Sequence, residues 1–352
     1  MRKILIAIIM AVATTATAQK LKVETQVIDV GQVAFGSPVS ASFKLKNKSS
    51  KTAEITNVET SCGCTTATLA ANSIAGGKDI SLTATFDGQT MGHFQKQIWV
   101  YEAGRKNAIE LTMKGIVVAE IHDFQGSYPF TLGQINCDGM DIEFDDVNHG
   151  QNPTQEIHIH NNTGEFIQPV VMRLPSYLQA EVSPTRIAPN RGGVVTFTLL
   201  SDKVRDYGLT QTSVFLGKFP GDKVSMDKEI TTSVVLLPSF EGIGEEQMQY
   251  MPHIELSQNT LSMSQMSGKP AKLKGEVIIQ NTGRTDLEIR SMQMFTPGLR
   301  LSLSSQKIAP GAQAKLKIQA DKTQLRNQHT RPRILMITND PQSPKVVIEI
   351  TE

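Results

Sequence analysis

Cys62 and Cys64 stand two apart in the run Ser61-Cys62-Gly63-Cys64-Thr65, and Cys137 is the third and last cysteine of the chain. Three cysteines are too few, and odd in number, for a disulfide-built scaffold. Gly63 is expected to permit the tight backbone that brings two such sulfurs together. Four chemistries are open to the pair. They can be small thiols packed at the end of a domain. They can form a disulfide, because residues two apart just reach bridging distance, in a small ring that reduces easily. They can hold a soft metal such as Cu(I) through two thiolates. One of them can instead bridge to Cys137. A closed zinc site needs four ligands, and His93 is the single imidazole in the first domain that could join. Thiol redox or soft-metal handling by Cys62 and Cys64 is therefore one functional expectation.

Other groups are weaker. His158 and His160 flank Ile159, so period two puts both rings on one strand face, and His149 precedes them by nine residues. An exposed polar face suits them better than a metal site. Asp138, Asp141, Glu143, Asp145 and Asp146 cluster without EF-hand spacing, and read as a solvated loop. In Gln97-Ile98-Trp99-Val100-Tyr101, the only Trp shares a face with Gln97 and Tyr101, and Ile98 and Val100 share the other. If the aliphatic pair faces the core, Trp99 and Tyr101 form a contact patch; if the faces are reversed, Trp99 is core. Met263, Met266, Met292 and Met294 read as core filling. No Gly-x-Ser-x-Gly, Gly-x-x-x-x-Gly-Lys-Ser/Thr or Gly-x-Gly-x-x-Gly motif occurs. The expectation is a non-catalytic protein with no cofactor.

The elements that must position these groups are short strands. Apolar and polar residues alternate in Ser42–Lys46, Leu82–Phe86 and Lys315–Gln319, with Gly, Pro, Asn and Asp between runs. Two elements recur three times. Phe43-x-Leu-x-Asn47, Ile157-x-Ile-x-Asn161 and Val277-x-Ile-x-Asn281 each end a strand in an Asn-led turn, where left-handed backbone is expected. Downstream come Ser73-Ile74-Ala-Gly-Gly77, Arg186-Ile187-Ala-Pro-Asn190 and Lys307-Ile308-Ala-Pro-Gly311, then strands closing on Asp87, Asp202 and Asp321. Matched order at a spacing of 113 and 121 residues between the Ile positions means duplicated domains. The fold class is all-β, three tandem immunoglobulin-like sandwiches. They span 19–118, 119–237 and 253–352, with 238–252 as a linker; Ala119–Asp141 reads as a loop or an extra strand pair.

Arg2 and Lys3, the apolar run Ile4–Ala13 and Ala16-Thr17-Ala18 form a secretory leader over 1–18. No cysteine follows the cleavage point, so no lipid anchor is expected there. The chain of 352 residues carries 35 Lys+Arg against 34 Asp+Glu, and losing Arg2 and Lys3 moves its net charge from +1 to −1. That balance argues against nucleic acid and against a polybasic membrane binder. The expected location is the bacterial periplasm or the exterior, with no membrane insertion after cleavage. The expected partner is an unidentified protein or cell-envelope component.

The first domain resembles the bacterial immunoglobulin-like family known as domain of unknown function 1573. Asp29-Val30-Gly31 stands where that family has Asp-Phe-Gly, Phe43–Asn47 matches its strand before the Asn turn, and Ile55–Thr60 leads into Ser-Cys-Gly-Cys-Thr. Gly76 falls near its Pro-Gly and Gly92-His-Phe94 near its Gly-x-Phe. The other two domains resemble the broader ASH, MSP and hydin-like class and lack the Cys-Gly-Cys. The resemblance implies fold and compartment; related sandwiches mostly act as interaction modules, so it implies function by analogy only.

Overall fold

The computed structural model describes residues 21–121, 124–269, 271–325 and 332–351. The expected leader lies outside them. Alternation becomes strands whose alternate side chains enter a core, as in Val39–Asn47, where Phe43 and Leu45 are 1% and 0% exposed.

The first sandwich comprises β1 (Leu21–Val23), β2 (Val27–Ala34), β3 (Val39–Asn47), β4 (Ala53–Thr60), β5 (Thr65–Leu69), β6 (Ser73–Ile74), β7 (Asp79–Phe86), β8 (Gly92–Glu102) and β9 (Ile109–Val118). One sheet has the order β1-β3-β7-β5 and the other β2-β9-β8-β4-β6. Between them lie Phe43, Leu45, Leu82, Phe86, Ile98, Leu111 and Met113. β2 runs parallel to β9, with a bulge between Asp29 and Gln32. Asp29-Val-Gly makes that bulge: Gly31 has φ +70° and its N–H donates to Asp29 Oδ1 at 2.7 Å.

The second and third sandwiches repeat the plan. In the second, Asp141–Asn148 pairs parallel with Glu229–Leu237; in the third, Thr260–Ser262 pairs parallel with Lys345–Thr351. The expected acidic loop is corrected here. Asp141, Glu143, Asp145 and Asp146 lie in the strand Asp141–Asn148 and alternate with buried Ile142 and Phe144; Asp146, with φ +54°, forms its bulge. The stretch before it holds a strand pair, Phe130–Leu132 with Ile135–Cys137.

The recurrent Asn residues work through their side chains. Asn47, Asn161 and Asn281 are strand residues, all fully buried. Asn47 Nδ2 donates to the Lys51 and Ile74 carbonyls (both 2.8 Å), and its Oδ1 accepts from Ser49 N at 2.9 Å. Asn281 repeats this with the Thr285 and Ile308 carbonyls (2.8 and 2.9 Å) and Gly283 N (3.0 Å). One amide thus ties its turn to the recurring Ile element. The expected left-handed residue is elsewhere, at Gly77, Asn190 and Gly311, with φ of 74°, 56° and 74°.

The described chain forms two compact units, one reaching Phe124 and including Ser183–Ile187, the other holding the remaining residues. Within the latter, Val235 and Leu237 of the second sandwich cluster with Leu335 and Ile337 of the third. Gln293 completes the join, its amide bonding the Leu209 N–H and C=O at 2.8 and 3.1 Å.

Candidate functional site

Cys62 and Cys64 lie in the connection that carries the chain from β4 in one sheet to β5 in the other. Their sulfurs are bonded to each other, with Cα atoms 5.3 Å apart. Cys137 is free, fully buried, and belongs to the second sandwich. Of the four expected chemistries, the intramotif disulfide is the one this structure holds. Burial pushes the Cys137 thiol up to about 11, and the neighbouring Asp138 carboxylate adds to the shift.

The turn is built by hydrogen bonds that do not involve sulfur. The Thr60 hydroxyl donates to the Cys62 and Thr65 carbonyls (3.1 and 3.0 Å). Thr65 N donates to Cys62 O at 3.3 Å, Ser61 N to Gln97 O at 2.9 Å, and Asp87 N to Cys64 O at 3.1 Å. Gly63 is not the device the sequence suggested: its φ is not left-handed, and a Cβ there would meet nothing within 4 Å. Both cysteines are half-buried and Gly63 is exposed. Cys64 packs against the core edge. The buried Thr65 hydroxyl sits 3.5 Å from Cys62 Sγ and 4.0 Å from Cys64 Sγ. His93 lies on β8 four residues before Gln97, and among the described residues it does not gather with the two cysteines into a metal set.

On β8 the question of faces is decided by burial. Ile98 and Val100 are 0% exposed, which puts Trp99 and Tyr101 together on the outer face, both half-exposed. Register sets Trp99 between Glu59 of β4 and Glu110 of β9. Neutral donors orient the acids: Tyr101 OH donates to Glu59 Oε2 (2.8 Å), Asn57 Nδ2 to Glu59 Oε1 (2.9 Å), and Gln97 Nε2 to Glu110 Oε1 (2.8 Å). The bond to Glu59 holds the Tyr101 hydroxyl above its ordinary range. Sequence reasoning found the aromatics and missed the acids, whose placement depends on cross-strand register; the alternation of Asn57 and Glu59 in β4 was the available signal.

The histidines are spread among separate partners. Asp138 Oδ2 meets His158 Nδ1 at 2.9 Å, His160 packs on Tyr128, and His149 faces Asp202 at 3.2 Å. Among the described residues no three His, Cys, Asp or Glu side chains gather as a metal set. Of the four methionines, Met266 is buried and Met263 and Met292 pack on the third core, but Met294 is 40% exposed and is no core filler.

These geometries meet known families at both ends of the chain. Residues 21–117 match the family model "Protein of unknown function (DUF1573)". Residues 252–351 match the model "HYDIN/CFA65/VesB-like, Ig-like domain". A protein of unknown function from Porphyromonas gingivalis W83 is similar at 20% identity and TM-score 0.48, over 62% of this chain and 98% of that one. The human CEP192 ASH/PapD-like domain 7 is similar at 8% identity and TM-score 0.26, over 34% and 100% of the two chains. The Vibrio cholerae VesB protease is similar at 16% identity and TM-score 0.22, over 28% and 32%. Likenesses this distant say nothing of activity. No curated protein matches the chain. The fold is a tandem of β-sandwiches, and nothing in the described residues points to catalysis.

Proposed function

We propose that this chain is a non-catalytic interaction protein of the bacterial periplasm or cell exterior, engaging a protein or envelope partner through the outer face of β4, β8 and β9. The observation that supports this most is Trp99, half-exposed between the carboxylates of Glu59 and Glu110. An aromatic flanked by acids suits a cationic group: the ring face attracts it and the carboxylates complement its charge. The partner is therefore one that presents Lys or Arg side chains. Ile98 and Val100, buried in the core behind β8, anchor the strand that presents the patch.

The test is a photo-crosslinking amino acid at Thr112, on the same face, against one at Lys44, on the outer face of the opposite sheet. Adducts at Thr112 that are absent at Lys44 and vanish in Trp99→Ala support the reading. Equal adducts at both positions, or adducts indifferent to Trp99→Ala, overturn it. Cell fractionation checks the compartment separately.

A further inference from the structure

We propose that the Cys62–Cys64 bridge is a disulfide donor that oxidises the dithiol of a partner protein, rather than a brace of the fold. Three observations on this chain carry the inference.

First, the fold makes the same connection elsewhere without sulfur. In the first sandwich, Asp87 N bonds the Cys64 carbonyl at 3.1 Å. The corresponding bonds in the second and third sandwiches run from Leu200 N to Tyr177 O and from Asp321 N to Gly298 O, both 2.8 Å. Tyr177 and Gly298 thus occupy the place of Cys64, and prolines 175 and 297 lie in those connections. Neither connection contains cysteine. Second, the bridge closes over a single exposed residue, Gly63, whose surroundings are open, and both cysteines are half-exposed. Both cysteines lie within the connection between β4 and β5, so the bridge ties no two strands together. Third, a hydroxyl anchored by the fold waits at the sulfurs. Thr65 is 3% exposed and its Oγ1 is nearer Cys62 Sγ than Cys64 Sγ (3.5 against 4.0 Å). A thiolate formed at Cys62 gains that hydrogen bond.

The step balances as thiol–disulfide exchange. A partner thiolate attacks Cys64 Sγ; the Cys62–Cys64 bond breaks, and Cys62 leaves as a thiolate facing Thr65. The partner's second thiolate attacks its own sulfur of the mixed disulfide, forming the partner's disulfide and releasing Cys64. Two electrons pass to this chain, and the two protons of the partner's thiols end on Cys62 and Cys64.

The experiment uses the full secreted chain in its oxidised form, with dithiothreitol and then a reduced dithiol peptide as probes. The number of free thiols is read by alkylation and intact mass, and the fold by circular dichroism. Expected results are reduction of Cys62 and Cys64 with an unchanged spectrum, oxidation of the peptide, and a roughly tenfold slower exchange in Thr65→Val, the rate equivalent of one hydrogen bond to a charged sulfur. Cys62→Ser has no bridge to give and should leave the peptide reduced. A bridge that resists excess dithiothreitol, reduction that unfolds the sandwich, or a peptide left reduced would each overturn the proposal. Because Thr65→Val changes a buried residue, its melting curve is measured beside its exchange rate; an unchanged rate in a folded Thr65→Val removes the assigned role of that hydroxyl and of Cys62 as leaving group.

Discussion

The first and third sandwiches solve one problem alike and another differently. Both bury an asparagine at a strand end and spend its amide on the same three backbone partners, around Asn47 and around Asn281. Both then cross between sheets over four residues, Ser61–Cys64 in one and Phe295–Gly298 in the other. There the chemistry parts: a disulfide and a hydroxyl in the first, Thr-Pro-Gly in the third. What the copies share is what the backbone needs in order to close a sandwich. What one copy holds alone is free to serve something else.

The largest effect should fall on the shared feature. Asn47→Ala and Asn281→Ala each strand buried carbonyls and an N–H, and should each cost about 3 kcal/mol or more in denaturant unfolding. If Asn47→Ala proves mild while Asn281→Ala is severe, the two knots are not equivalent and the comparison breaks. Cysteine labelling sharpens the difference next. With its thiol raised to about 11 by burial, Cys137 should alkylate at pH 8 more than about a hundredfold slower than an ordinary exposed thiol. Reduced Cys62 and Cys64 should label freely in the same sample, and stopped-time mass spectrometry separates the two populations.

The unshared feature should matter less for stability. A bridge closing a loop of three residues restrains little of the unfolded chain, so the Cys62→Ser, Cys64→Ser double variant should lose only about 1.5 kcal/mol. A loss of several kcal/mol would make the bridge a brace after all. The smallest expected effect is at Tyr101. Its hydroxyl is held above the ordinary value by Glu59, so the unfolded chain releases this proton at lower pH than the folded one. The stability it contributes is full below about pH 10 and is lost as pH rises through the folded value. Ultraviolet titration should show a tyrosine moving back toward the ordinary range in Glu59→Gln.

Much of this was legible beforehand because alternation and repetition are properties of the string itself. The strands around Phe43 and Leu316 follow from period two, and the three Ile elements align without a structure. The positions fixed by pairing between distant strands were not legible. Asn47 read only as a turn former because its other contact, the Ile74 carbonyl, lies on β6, distant in sequence. Asp145 and Asp146 read as a loop because a bulge within a parallel pair breaks the alternation. Trp99 could not be assigned a face until Ile98 and Val100 were seen in the core. Glu59 and Glu110 join it through ladders, and no local spacing encodes that.

The parallel pairing of each sandwich's early strand with its last one has a mechanical consequence. When such a chain is pulled from its two ends, strands that run side by side in the same direction are drawn past each other lengthwise. In the first sandwich the bonds between Val27–Ala34 and Ile109–Val118 then bear the load together and yield as a block. An antiparallel pair pulled from adjacent ends would unzip one bond after another.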